Sequence, residues 1–278
     1  MTKADATLMQ AVQAVAAEAG REIMAIYADP ERWAVQHKSD DSPLTAADVA
    51  AHECIVAGLS ALPSPWGALP VLSEESSADE LRDRRQWPAC WLVDPLDGTK
   101  EFLARNGEFS VNIALVQGHS AVLGVVHGPA TGVSYVAAQG EGSFRVDASG
   151  WQRLQVAALP TANERPIRLT VSRRHGLAQL ERFQQAVGQD FQAVEAVSAG
   201  SAFKVCAVAE GRADAYPRFG PTSEWDTAAA QVVLEEAGGY LLDQQGRPFR
   251  YNQRDTLLNA SFLAVGAEPQ RWLRYWPN

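Results

Sequence analysis

Cysteine is scarce in this 278-residue chain: only Cys54, Cys90 and Cys206 are present, far apart and each among apolar neighbours. That excludes a disulfide framework and a clustered zinc site and reads as buried, reduced thiols. A basic excess is lacking too. Lys and Arg number 24 against 33 Asp and Glu, a formal net charge of −9. With no basic stripe, a nucleic-acid surface is argued against. A small phosphorylated ligand is not, because local Arg, Lys or metal sets a site's potential. Nothing approaches the length of a membrane span, and Asp5 puts an acid where a secretory leader carries none. Internal repeats, low-complexity segments, a P-loop and a Ser-His-Asp set are also absent. With five histidines in all, His175 alone is a weak catalyst.

What is present is a 46% hydrophobic composition, ample for a sizeable core, in a length that suits one large domain or two intimate ones. The chain is organised around Trp91-Leu92-Val93-Asp94-Pro95-Leu96-Asp97-Gly98-Thr99-Lys100-Glu101-Phe102. Its apolar start predicts a buried strand, stopped by Pro95 and Gly98. Two carboxylates three residues apart then follow. Held a few Å apart, they repel by several kcal/mol at an effective dielectric near 20, so an ionised pair calls for a cation. All-oxygen donors favour a hard divalent ion, magnesium foremost. The alternative is a turn in which Asp94 and Asp97 only cap backbone N–H groups.

Helical spacing predicts a first helix from about Asp5 to Tyr27, then a short strand from Trp33 to His37. Ser42-Pro43-Leu44-Thr45 opens a second helix, with Thr45 as cap, Asp48 in the capping-box position and an apolar face through Val49, Cys54, Ile55, Ala57 and Leu59. Pro70-Val71-Leu72-Ser73 is a short strand ending in Glu74-Glu75, and Asp79 to Arg85 is a charged, exposed excursion. Alternating segments from Phe109 to Val146, separated by turns, predict an antiparallel meander. Beyond Gly150 the texture is strand–helix–strand–helix, with Trp225-Asp226-Thr227 leading into a helix from Ala228 to Ala237. The expected organisation is a lobe over 1–160 with the meander and most acids, a lobe over 161–278, and a site between them.

Asp48, Glu74-Glu75, Asp94 with Asp97, and Asp226 all fall at strand ends or helix starts, the set a two-metal hydrolase needs. Each has a plainer reading: Asp48 as a cap, the glutamates as a solvated strand end. Gly98-Thr99 offers amides and a hydroxyl for phosphate. Arg173-Arg174-His175, Lys204 and Arg218 suit further phosphate contacts, though any one of them is otherwise an ordinary surface charge.

Asp94-Pro95-Leu96-Asp97-Gly98-Thr99, Glu74-Glu75 and Trp225-Asp226-Thr227-Ala228-Ala229 together resemble the inositol monophosphatase superfamily of lithium-sensitive, magnesium-dependent phosphatases. The resemblance is collinear from Ser42-Pro43-Leu44-Thr45 to Glu236-Ala237-Gly238-Gly239. Within it, Gly98-Thr99-Lys100-Glu101-Phe102, Ser172-Arg173, and Tyr216-Pro217-Arg218 through Ser223-Glu224-Trp225-Asp226-Thr227 are similar to the CysQ-type 3'(2'),5'-bisphosphate nucleotidases. Those enzymes remove a phosphate from 3'-phosphoadenosine 5'-phosphate.

The resemblance implies an α/β fold, a layered α/β/α/β/α sandwich, with two or three Mg²⁺ per site. It implies Glu74, Asp94 and the Leu96 carbonyl at one metal, and Asp94, Asp97 and Asp226 at a second. Glu74 and Thr99, supported by Asp48, would direct a metal-activated water at the 3'-phosphate. Substrate contacts would come from Glu74, Leu96, Asp97, Gly98, Thr99 and Asp226 at the scissile phosphate, and from Gly200, Ser201, Lys204 and Arg218 at the nucleotide or its second phosphate. An inositol or sugar monophosphate is the alternative substrate. A non-catalytic metal- and nucleotide-binding module is a third reading, disfavoured by the intact set of five side chains. The resemblance further implies a monomer or homodimer, a role in sulfur metabolism, and a cytoplasmic place, with peripheral attachment to the inner membrane as a variant of it.

Overall fold

Alternation in the strands has a direct consequence: successive side chains face opposite layers, so a strand apolar on both faces must be sandwiched. In Ala89–Asp97, Cys90 and Leu92 enter one core while Trp91 and Val93 enter another. The computed structural model describes residues 3–33, 35–37, 43–161, 164–171, 177–191 and 193–277.

In chain order the elements are α1 (Ala6–Tyr27), β1 (Gln36–His37), β2 (Pro43–Leu44), α2 (Ala46–Ser60), β3 (Val71–Ser73), β4 (Ala89–Asp97), α3 (Thr99–Leu103), β5 (Ser110–Gln117), β6 (Ser120–Gly128), β7 (Val133–Ala138), β8 (Gly142–Asp147) and β9 (Gly150–Arg153). There follow β10 (Ile167–Thr170), α4 (Leu177–Asp190), β11 (Val194–Val197), α5 (Phe203–Ala209), β12 (Ala215–Arg218), α6 (Glu224–Glu236), β13 (Tyr240–Asp243), β14 (Phe262–Val265) and α7 (Pro269–Leu273). A seven-stranded sheet runs β3-β4-β5-β6-β7-β8-β9 and a five-stranded sheet runs β11-β10-β12-β14-β13.

Three cores lie between the layers. Helices α1 and α2 cover one face of the large sheet through Val12, Ala16, Ile23, Ile55 and Leu59. Helices α5 and α6 fill the space between the two sheets. On the far face of the small sheet, α4 and α7 bury Phe183, Val187 and Trp272. This is the α/β/α/β/α sandwich the resemblance implies.

Several sequence expectations change. The strand expected from Trp33 shrinks to Gln36–His37, because Pro30–Arg32 forms a 3₁₀ turn ahead of it. The buried face of α2 runs through Ala47, Asp48, Ala51, Ile55 and Leu59; Val49 and Ala57 are exposed. Ile55 and Leu59 keep the place expected of them, joined by Ala47 and Ala51 toward the start of the helix. Pro95 does not stop β4. Asp94 pairs with Asn112 and Asp97 with Ser110, so β4 carries one extra residue and the proline sits in a bulge. Helix α6 begins at Glu224, one turn earlier than expected, capped by Ser223. Arg84, in the stretch read as exposed, is buried.

Candidate metal and phosphate site

The bulge in β4 decides where its two acids go. With one extra residue between the pairings, Asp94 and Asp97 leave the ladder near each other. Asp94 turns back to accept the Leu96 N–H at 3.0 Å, which fixes its carboxylate and leaves Leu96 itself buried. Helix α6 delivers the third acid. Its first turn is a capping box: Asp226 occupies the third position and accepts the Ser223 N–H at 2.8 Å. One carboxylate oxygen from each of Asp94, Asp97 and Asp226 lies within 4.8 Å of the others.

Glu74 follows β3, its N–H bonded to the Val93 carbonyl at 3.1 Å. It is outside that trio of converging oxygens, yet its charge raises the pKa of all three acids. Asp48, at the same capping-box position of α2, accepts from the Thr45 N–H at 2.8 Å and hydroxyl at 2.6 Å. Its other oxygen accepts from the Thr99 hydroxyl at 3.3 Å. Thus β3, β4, α2, α3 and α6 each bring one part of the cluster.

The electrostatics call for a cation. Burial pushes Asp94 well above the usual carboxylate range, and the charges of Glu74, Asp97, Asp226 and Asp48 push further. Burial raises Asp226 to about 8, with Asp97 adding to it. Burial also raises Asp97 to about 6, against the pull of the Lys204 ammonium, and Asp48 to about 6, against the two bonds from Thr45. Two unit charges 4–5 Å apart repel by roughly 3–4 kcal/mol at an effective dielectric near 20. All-oxygen, carboxylate donors of this kind fit a hard divalent ion and no soft metal.

A pH dependence follows, with a defined sign. These carboxyls have folded-state pKa values above their unfolded values near 4. The stability each contributes is fully present below that unfolded value and is lost as pH rises through about 6 for Asp97 and Asp48 and about 8 for Asp226. In chelator, the melting temperature is expected to fall as pH rises from about 5 to about 8.5. Millimolar Mg²⁺ is expected to reverse that slope, since binding needs the ionised acids. A melting temperature that climbs with pH in chelator contradicts the clustered geometry.

Beside Asp97 and Asp226 a cavity of about 180 Å³ opens toward the small sheet. Gly98, Gly200, Ser201, Lys204 and Arg218 line it, as do Lys100, Val171, Tyr216, Thr222 and Phe262. Gly98 has φ +96° and caps α3; a Cβ there would meet Ser201 Oγ at 2.4 Å. Ser201 Oγ lies 2.9 Å from the Asp97 carbonyl and 2.8 Å from the Glu108 carbonyl, so this hydroxyl fastens the 199–202 loop to the acid turn. Lys204 Nζ stands 5.6 Å from the centre of the Tyr216 ring, and Arg218 Nη2 donates to the Pro221 carbonyl at 2.9 Å.

The structure therefore brings Asp94, Asp97 and Asp226 together, sets Glu74 and Asp48 near enough to act on Asp94, bonds Thr99 to Asp48, and lines the adjoining cavity with Gly98, Lys204 and Arg218. Ser172, Arg173, Arg174 and His175 lie outside the described residues. Lys100, Tyr216, Thr222 and Phe262 had no site role in the sequence reading. Tyr216 was within reach, because residues two apart on a strand share a face and Arg218 was already a candidate. Phe262 carries no local signal. It arrives by strand register, paired opposite Arg218, with its ring edge-on to Tyr216 at 5.6 Å.

A two-sheet, five-layer sandwich with an acid cluster at the bulged end of β4 defines a class of protein. The profile of the inositol monophosphatase family matches residues 4–272, and the chain belongs to that family. More particular likenesses follow. The 3'(2'),5'-bisphosphate nucleotidase CysQ of Escherichia coli (strain K12) is 42% identical over 255 residues, covering 92% of this chain and 98% of that protein. The protein of the same name from Haemophilus influenzae is 35% identical over 265 residues, 95% of each chain. A crystal structure of CysQ from Bacteroides thetaiotaomicron has a TM-score of 0.79 at 39% identity, covering 94% of this chain and 98% of that one. The extragenic suppressor protein suhB from Bartonella henselae shares the fold, with a TM-score of 0.77 at 24% identity over 98% of this chain and 99% of its own.

Proposed function

We propose that this chain is a magnesium-dependent 3'(2'),5'-bisphosphate nucleotidase that hydrolyses the 3'-phosphate of 3'-phosphoadenosine 5'-phosphate to AMP and phosphate. One observation carries the reading beyond the family: one cleft brings a second anion-binding pair beside the acid cluster. Asp97 and Asp226, which with Asp94 would bind a phosphate through a cation, line it together with the cationic Lys204 and Arg218 and the rings of Tyr216 and Phe262. A molecule with two phosphates and an aromatic base matches that set of groups. A sugar or inositol monophosphate uses only the first.

In this reading Glu74, Asp94 and the Leu96 carbonyl hold one cation, and Asp94, Asp97 and Asp226 a second. When bound, magnesium supplies Lewis acidity, neutralising the phosphate and lowering the pKa of water. The chain's own groups do the rest. Thr99 donates a hydrogen bond to Asp48, so its oxygen is left to accept one from the attacking water. Thr45 fixes Asp48 behind it, and Glu74 orients the same water. The Gly98 and Thr99 amides hold the scissile phosphate, while Lys204 and Arg218 meet the second one where Gly200 also lines the cavity. Ser201 enters through the turn it fastens. A cytoplasmic place, lithium sensitivity and a role in sulfur metabolism belong to the same reading. Among the described residues no helix is long and apolar enough to cross a membrane.

The test is phosphate release, with Mg²⁺ and with chelator, from 3'-phosphoadenosine 5'-phosphate and from inositol and sugar monophosphates. The expected kcat/KM favours the nucleotide by tenfold or more, about 1.4 kcal/mol of transition-state binding. A tenfold preference for inositol phosphate overturns the substrate, and nucleotide binding without release overturns the enzyme.

A further inference from the structure

Arg84 is a charged residue that the fold buries, 6% exposed in the turn before β4. Its guanidinium donates to Asn252 Oδ1 at 3.0 Å and to the carbonyls of Arg254 and Asp255 at 2.8 and 2.6 Å. Asn252 answers by donating Nδ2 to the Arg84 carbonyl at 2.6 Å. Its φ is +54°, a left-handed conformation that a non-glycine residue keeps only where its surroundings over-determine it. From there its N–H donates to Glu224 Oε2 at 2.6 Å, and Arg254 Nη2 donates to Glu224 Oε1 at 3.1 Å.

Glu224 is fully buried and opens α6, two residues before Asp226. The chain beyond Asn252 completes the grip. The Leu257 carbonyl accepts the Glu224 N–H at 2.8 Å; Asn259 donates its N–H to the Thr222 carbonyl at 2.8 Å and its Nδ2 to the Ser223 carbonyl at 2.6 Å.

Buried ionic groups are a weak way to gain stability: their desolvation costs several kcal/mol each, and well-packed apolar residues often do as well. What they supply is geometry, since α6 cannot slide or turn at this end without stranding a charge. We infer that Arg84, Asn252, Glu224 and Arg254 are positioning residues that set Asp226 against Asp94 and Asp97, so that cation affinity depends on a network that touches no cation. This rests on the reading of Asp226 as a ligand.

The experiment titrates the whole metal-free chain with Mn²⁺, following free ion by electron paramagnetic resonance. The variants are Arg84→Met, Glu224→Gln, Asp226→Asn and a control, Asp214→Asn. Asp214 is equally buried, bound by Arg165 at 2.7 Å through both oxygens, at the opposite end of β12 from Arg218. Arg84→Met and the isosteric Glu224→Gln are expected to raise the Mn²⁺ dissociation constant at least about tenfold, the usual effect of losing a group that orients a ligand. Asp214→Asn is expected to lower the melting temperature while leaving that constant within about twofold. Glu224→Gln keeps the test decisive should Arg84→Met not fold. Wild-type Mn²⁺ binding by Glu224→Gln overturns the inference, and so does an equal loss in Asp214→Asn. Unchanged binding in Asp226→Asn instead sinks the ligand reading beneath it.

Discussion

Asp94→Asn is expected to lower kcat by three or more orders of magnitude, roughly 4 kcal/mol of transition-state stabilisation. Asp94 is buried at the bulge of β4, and the charges of Glu74, Asp97, Asp226 and Asp48 all bear on it. Among the described residues no other carboxylate has that position, and none replaces it when the amide removes its charge. The same change is expected to raise the melting temperature in chelator near pH 8, because one member of a repelling buried set becomes neutral. Loss of activity with gain of stability separates a role at the cation from damage to the fold. Phosphate release at limiting and saturating Mg²⁺, beside thermal melts, reads both. A variant that turns over at the wild-type rate in limiting Mg²⁺ removes Asp94 from the centre of the site.

Gly124→Ala is expected to cost about 3 kcal/mol or more, the upper part of the overpacking range. Gly124 sits mid-strand in β6 between Ala114 and Ala137, and α6 lies on it by backbone. A Cβ there would stand 2.1 Å from the Ala229 carbonyl oxygen and 2.8 Å from its carbon. Neither atom is the end of a flexible side chain, so the helix must lift. For a chain of this size that corresponds to a fall in melting temperature of about 6 °C or more. Because α6 also carries Asp226, Mn²⁺ affinity is expected to fall with it. A variant that melts within a degree or so of wild type shows that α6 can move outward freely, and the close contact would then carry no weight.

Both predictions bear on how much the sequence made legible. The capping boxes at Thr45–Asp48 and Ser223–Asp226 close over three residues, and so does the spacing of Asp94 and Asp97. Interactions of that reach are written in spacing alone, and the first and last of them were legible there. Ser223–Asp226 was not, because the apolar run that marks α6 begins only at Ala228. The apolar run of β4 likewise marked a buried strand, and the structure puts a core on each of its faces. Phe262 in the cleft and the burial of Arg84 were not legible. Each depends on a partner distant in sequence: a strand register in one case, a loop more than a hundred residues away in the other.

The sequence by itself determined which residues are ionisable, which stretches form most of the helices and strands, and that its acids fall near the ends of such elements. Only the tertiary structure decided that Asp226 meets Asp94 and Asp97, that Ser201 faces a backbone carbonyl, and that Glu224 is gripped by Arg254. Propensity and capping act over a few residues, whereas convergence of distant groups is settled by how the layers pack. Charges of like sign gather only where the whole of that packing holds them.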